Sequence, residues 1–178
     1  LIAAGEVVER PASVAKELLE NAIDAGATQI TLSAVRGGIQ QLQIVDNGSG
    51  IEAEYIDKAF IRHATSKIAT AEDLGHIHYN TPARMKFLKK DASEGTFVAE
   101  TVLHAALSHP EISFRYLRDG KQQYVTPGDG DLRSAVYAVL GREFARDLLP
   151  VDGGSELYHV TGLVTPPRAC RASRGAQH

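Results

Sequence analysis

The chain has 178 residues, 43% of them hydrophobic and 23% charged, with a formal net charge of −3. That length suffices for one good core or two small domains, and the near-neutral balance excludes a strongly basic nucleic-acid module while leaving room for a local phosphate-binding patch. A single cysteine, Cys170, excludes an internal disulfide framework and stands in no zinc-ligand spacing. No run approaches the ~20 apolar residues of a membrane span, and no charged-then-apolar leader opens the chain. The reading is therefore a soluble, intracellular protein with no membrane partner. The start at Leu1, without an initiator Met, and the close on RASRGAQH read as trimmed ends.

The first predicted element is a helix. Pro11 suits a helix start, where its missing N–H has no intrahelical partner to lose, and Gly26 supplies a stop. At about 100° per residue, Val14, Ala15, Leu18, Leu19, Ala22, Ile23 and Ala25 fill a broad apolar arc. Lys16 and Glu20 fall opposite, as a solvated i, i+4 ion pair. Within KELLENAIDAGA, Glu17, Asn21 and Asp24 run along one line, although Asn and Asp are indifferent helix formers. Glu17 and Asn21 lie beside the apolar border next to Val14, where a ligand could meet both side chains from a half-buried cleft.

TQITLSAV follows as a strand with Ile30, Leu32 and Ala34 on one side. Gly37 and Gly38 turn the chain, and IQQLQIVDNGSG begins a second strand, which makes a hairpin the economical reading. Leu42, Ile44 and Asp46 share parity, so Asp46 is expected to point to the core side. A carboxylate there has to find donors, because an unpaired charge in a protein interior costs several kcal/mol. Gly48 and Gly50 follow at once, and glycines remove side chains that would stop a ligand approaching the backbone. A helix ending in Gly, a hairpin and an inward Asp at a glycine turn together offer a carboxylate, an amide and a second carboxylate. Such a set could serve as general base, metal ligand and base-reading acceptor.

IEAEYIDKAFIRHATSKIATAEDL carries Ile56, Ala59, Phe60 and His63 at helical spacing and reads as core-facing helix, with His63 structural. FVAETVLHAALSH is a second helix, whose His104 and His109 have no carboxylate partner at metal-site spacing. ISFRYLRDGKQQYVT reads as a hairpin turning at Asp119 and Gly120, with Ile112, Phe114 and Tyr116 on one face. DLRSAVYAVLG is an amphipathic helix starting after Asp131 and stopping at Gly141, and ELYHVTGLVT is a further strand. Arg168, Arg171 and Arg174 read as a solvated basic tail that could touch DNA phosphates.

IAAGEVVERPASVAKELLENAIDAGAT, DNGSGI, RHATSKI and YNTPARMKFLKK closely resemble the MutL family of DNA mismatch repair proteins, densely over residues 1–90 and more thinly beyond. The resemblance implies an α+β chain. It has the GHKL (Bergerat) ATPase α/β sandwich with a mixed sheet over residues 1–110, followed over 111–178 by part of a βαβ transducer domain like the second domain of ribosomal protein S5. In relatives that second domain supplies a lysine to the terminal phosphate, and no counterpart is identifiable here. By motif, Glu17 would be the general base that activates the attacking water, and Asn21 would coordinate Mg²⁺. Asp46 would accept a hydrogen bond from the adenine amino group, which selects ATP, while Gly48 and Gly50 would line the nucleotide. Thr65 and Lys67 would be accessory contacts near the lid, and Asp24 would brace the helix end.

The implied activity is an Mg²⁺-dependent ATPase acting as a switch: ATP binding dimerises the region and couples mismatch recognition to strand incision and removal. The implied partners are the mismatch-recognition protein, the endonuclease and helicase of the pathway, DNA, and a second copy of the chain, in a bacterial-type, nucleoid-associated cytoplasmic setting. The alternatives are a non-hydrolysing adaptor on the same fold, or a topoisomerase-type ATPase subunit, which would lack the IAAGEVVERPASV and NTPAR phrases. The sequence departs from the family at one place. A glycine-rich phosphate lid is expected between AEDL and NTPAR, where only GHIHY stands, so a lid segment is expected to be missing around Gly75–Tyr79. His76 and His78 are accordingly not taken as a metal pair. A chain without that lid lacks the backbone N–H groups that cradle phosphates and should bind ATP poorly.

Overall fold

The structure, a computed structural model, describes residues 10–50 and 90–167, and the elements below are numbered over these. The expected helix with His63, Thr65 and Lys67, the Gly75–Tyr79 junction, Cys170 and the three tail arginines lie outside the described residues.

Helix α1 spans Pro11–Asp24, with Pro11 at its start and an extended Arg10 before it. It ends where Gly26 turns left-handed, at φ +73°, and the Ala27 N–H donates back to the Ala22 carbonyl at 3.1 Å. Its buried stripe of Pro11, Val14, Ala15, Leu18, Leu19 and Ala22 is the arc expected from the sequence, with Ile23 and Ala25 half-buried at its edge. Strand β1 (Gln29–Val35) and strand β2 (Gln41–Asp46) pair antiparallel across the Arg36–Gly38 turn. Their register sets Ala34 opposite Leu42, Leu32 opposite Ile44 and Ile30 opposite Asp46.

Helix α2 (Asp91–Ser108) starts before the expected apolar run and carries the chain back to the sheet. Strand β3 (Ser113–Arg118) then pairs parallel with β1, and β4 (Lys121–Val125) pairs antiparallel with β3. A parallel neighbour needs such a crossover, because the chain must return to the end where it started. The sheet order is β2-β1-β3-β4. Ile30, Leu32, Ala34, Leu42, Phe114 and Tyr116 line one face and form a single core with Val14, Leu18, Leu19 and Ala22 of α1 and Val98, Val102 and Ala106 of α2. The opposite face carries Thr31, Ser33, Gln43, Val45 and Arg115, all exposed or half-exposed. The result is a two-layer α+β arrangement with both helices on one side of a mixed sheet.

This topology corrects the expected division at residues 110/111. The hairpin of β3 and β4 was assigned to a second domain, yet it hydrogen-bonds into the sheet of β1 and β2 and buries Phe114 and Tyr116 to 1% exposure under the same helices. Its apolar face needed cover, and the free edge of β1 supplied a place beneath α2. What remains outside the sheet is helix α3 (Leu132–Leu140), helix α4 (Arg142–Arg146) and the β5 (Leu149–Ser155) and β6 (Tyr158–Val164) hairpin. Val136, Ala145 and Leu148 form a small second core there, with Leu107, Leu140, Phe144 and Leu163 packed on it. Asp131 caps α3 by accepting from the Arg133 N–H at 3.0 Å and the Ser134 hydroxyl at 2.9 Å. These bonds hold its carboxyl below the ordinary range.

One buried hydroxyl closes the β3–β4 end of the sheet. Thr126 is fully buried; its Oγ1 accepts from the Phe114 N–H at 2.8 Å and donates to the Ile112 carbonyl at 3.2 Å. Thr126→Val keeps the shape and strands that N–H. It is expected to destabilise the chain by about 1–3 kcal/mol, read as a lower denaturant midpoint at unchanged slope.

Candidate functional site

The site begins on α1. Glu17 and Asn21 are half-buried, and Lys16 and Glu20 are exposed, with Lys16 Nζ and Glu20 Oε1 3.5 Å apart as an ion pair along the helix. That pair accounts for both flanking charges and leaves Glu17 and Asn21 facing the border of the apolar stripe. Ala25 continues the same four-residue line, so Asn21 lies one turn, about 6 Å, and Glu17 two turns, about 12 Å, from Ala25 along the axis. Asp24 is exposed at the helix end.

The second part arrives from the sheet. At the exit of β2 the Gly48 N–H donates to Asp46 Oδ1 at 2.8 Å, and the Ser49 N–H donates to the Ala25 carbonyl at 2.9 Å. The turn after β2 is therefore seated on the end of α1, on the line that carries Asn21 and Glu17. Gly48 has no room for a side chain: a Cβ there would lie 2.8 Å from the Ala25 Cβ and 2.9 Å from its carbonyl oxygen. Its glycine is needed for helix–turn packing, whereas Gly50, at φ +69° with open space around it, is needed for backbone conformation. The sequence reading gave both glycines one reason, ligand approach; the structure separates them.

Asp46 keeps the expected parity, opposite Ile30 on the helix-covered face. Its side chain is nevertheless exposed, so the desolvation penalty expected for an inward carboxylate does not arise. The end of β2 runs past the cover of α1, and the carboxylate opens to solvent beside the helix. Oδ1 is engaged by Gly48, and Oδ2 carries no hydrogen bond among the described residues.

Sequence reasoning passed over Asn47. Its Oδ1 accepts from the N–H groups of Thr28 at 2.8 Å and Gln29 at 2.9 Å, and its Nδ2 donates to Thr28 Oγ1 at 2.9 Å. The available signal was the Asn-Gly step after a strand, read only as a turn. Further along, the Glu111 carboxyl is held below its ordinary range by a hydrogen bond from its own backbone N–H and then by His109, whose Nδ1 lies 3.0 Å from Glu111 Oε1. Among the described residues, no group of three or more His, Cys, Asp or Glu side chains could hold a metal ion, and no helix is long and apolar enough to cross a membrane.

Helix α1, bearing Glu17 and Asn21, packs on a mixed sheet whose second strand ends at Asp46 and turns through Asn47 and Gly48. Residues 9–79 match the model of the histidine kinase-, DNA gyrase B- and HSP90-like ATPases. Over nearly its whole length the chain is also similar to proteins named DNA mismatch repair protein MutL. It is 37% identical to that of Shouchella clausii over 97% of this chain and 35% of that protein, and 35% identical to that of Agathobacter rectalis over 99% and 37%. In fold it is similar to the Aquifex aeolicus MutL ATPase domain, with a TM-score of 0.69 at 21% identity over 89% of this chain and 73% of that one. The same domain complexed with ADP gives 0.64 at 22% identity, over 83% and 73%. The chain is thus similar to the MutL family over nearly its whole length.

It spans about a third of the length of the curated relatives it matches. The alignment with the Shouchella clausii protein runs over 231 residues, more than the 178 present here, so that relative carries stretches absent from this chain.

Proposed function

We propose that this chain binds and hydrolyses ATP as the switch of a DNA mismatch repair protein. The observation that supports this most is the seating of the Asp46–Ser49 turn on Ala25, at the end of the helical line that carries Asn21 and Glu17. Asp46 Oδ2 is the acceptor for the adenine amino group. Glu17 holds the attacking water and takes its proton as the water oxygen bonds to the terminal phosphorus and the bridging P–O bond breaks, releasing ADP.

The donor set fits Mg²⁺ in the way nucleotide sites hold it, with few protein oxygens and the remaining positions filled by phosphate and water. Asn21 is the residue that would hold the ion through its amide oxygen. When bound, Mg²⁺ offsets phosphate charge and fixes the phosphate chain. Gly48 and Gly50 line the nucleotide, and Thr65 and Lys67, as the family resemblance implies, are accessory contacts near the lid. Helices α3 and α4 with the β5–β6 hairpin begin the S5-like transducer domain. Closure around ATP then dimerises two copies and presents them to DNA, the mismatch-recognition protein, the endonuclease and the helicase, linking recognition to incision and strand removal.

The absence of a glycine-rich lid phrase between AEDL and NTPAR favours a second reading, a non-hydrolysing adaptor. Competition of Mg·ATP and Mg·GTP against a fluorescent ATP analogue, with phosphate release measured in parallel, separates the two. The ATPase reading expects weak binding, with ATP preferred by about 10-fold or more because guanine meets the Asp46 carboxylate with a carbonyl oxygen. Equal affinities would remove the base-reading role. Binding without phosphate release would select the adaptor.

A further inference from the structure

We propose that Asn47 is a positioning residue for nucleotide recognition, acting through Asp46; the inference rests on the ATP reading above. The β1–β2 ladder ends at the pair Ile30 and Asp46. Past that pair the side chain of Asn47 replaces the ladder, taking the N–H groups of Thr28 and Gln29 on one oxygen and donating to the Thr28 hydroxyl. The backbone is thereby released from the sheet at the residue after Asp46, and Gly48 and Ser49 cross to α1, bonded to Asp46 Oδ1 and the Ala25 carbonyl. Asp46 thus stands between two anchors, the Asn47 clamp on β1 and the Ser49 bond on α1. The direction of its free oxygen depends on both.

All the clamp bonds lie among exposed residues, where each adds only modestly to global stability. Their effect is local: without them the turn can swing while the core of β1, β3 and the helices stays closed. Glu17 sits on α1, two turns from the seat, and is not moved by that swing. The expected signature is therefore a KM effect without a kcat effect. Aspartate at position 47 keeps an acceptor for both N–H groups, and the Thr28 hydroxyl can turn to donate, so it should rescue the clamp.

The test uses the full chain, ¹⁵N-labelled, with amide exchange measured without nucleotide and ATP turnover measured with Mg²⁺. Asn47→Ala should speed exchange at the Gly48 and Ser49 amides by about 10-fold, the equivalent of one lost hydrogen bond, with Leu32 and Phe114 amides unchanged. KM for ATP should rise by a similar factor, about 10-fold, with kcat within about twofold, and Asn47→Asp should restore most of both. Unchanged exchange at Gly48 and Ser49 in a chain that binds ATP would overturn the proposal alone, as would a fall in kcat at constant KM. Faster exchange in a chain that binds no ATP overturns the ATP reading, and the nucleotide role of Asn47 with it.

Discussion

Replacing Glu17 with alanine is expected to leave nucleotide binding intact and to lower ATP turnover by about 10²–10⁴-fold, the usual contribution of a positioned general base. Glu17 is half-buried at the rim of the α1 stripe, two helical turns from the Ala25 seat of the Asp46 turn, so under the proposed roles removing it takes away the proton acceptor and not the adenine contact. Glu17→Gln keeps the length and polarity of the side chain without its basicity and should be nearly as inactive. Glu20→Ala is the control, because Glu20 only pairs with Lys16 on the exposed side; such surface pairs contribute ~0–1 kcal/mol. Binding of a fluorescent ATP analogue and phosphate release, measured on the same preparations, read the two effects separately. Turnover by Glu17→Ala equal to that of the parent chain would remove Glu17 from the chemistry.

Asp46→Asn is expected to weaken ATP by about 10–100-fold while GTP holds or gains, so that the preference narrows or inverts. A hydrogen bond to a charged acceptor contributes about 1.5–3 kcal/mol, which sets that range. The amide can still present an oxygen to the Gly48 N–H, so the turn keeps its seat on Ala25. At the other position a donor replaces an acceptor. It faces the adenine amino group, also a donor, with no bond to make, and faces the guanine carbonyl with a matching one. Competition assays with both nucleotides check this directly. An unchanged ATP-to-GTP ratio would show that Asp46 does not face the base.

These variants act on residues that local pattern alone could single out. Glu17 and Asn21 stood out because a four-residue helical spacing sets them beside the apolar arc, and that arc matches the buried stripe of α1. The strand parity of Asp46, the glycine stop of α1, the Asp119–Gly120 hairpin and the Asp131 start of α3 all follow from short-range rules: rotation per residue, side-chain alternation, and which residues tolerate a turn or a cap. The S5-like division at 110/111 failed because no such rule covers it. Alternation in ISFRYLRDGKQQYVT predicts two strands, but an apolar face is satisfied equally by any helix layer that covers it. Only the free edge of β1, under α2, decided that β3 and β4 complete the first sheet.

The residues themselves therefore determined the helix that carries the proposed base and metal ligand, the strand that delivers the proposed base-reading acid, and the resemblance to the MutL family. Tertiary structure alone decided that the two meet. A helix wheel and a strand parity are each defined within one element, whereas the Ser49 bond to Ala25, the clamp of Asn47 on β1 and the exposure of Asp46 join groups 18 to 24 positions apart. Distances of that kind depend on how the elements pack, and packing is set by the whole core at once.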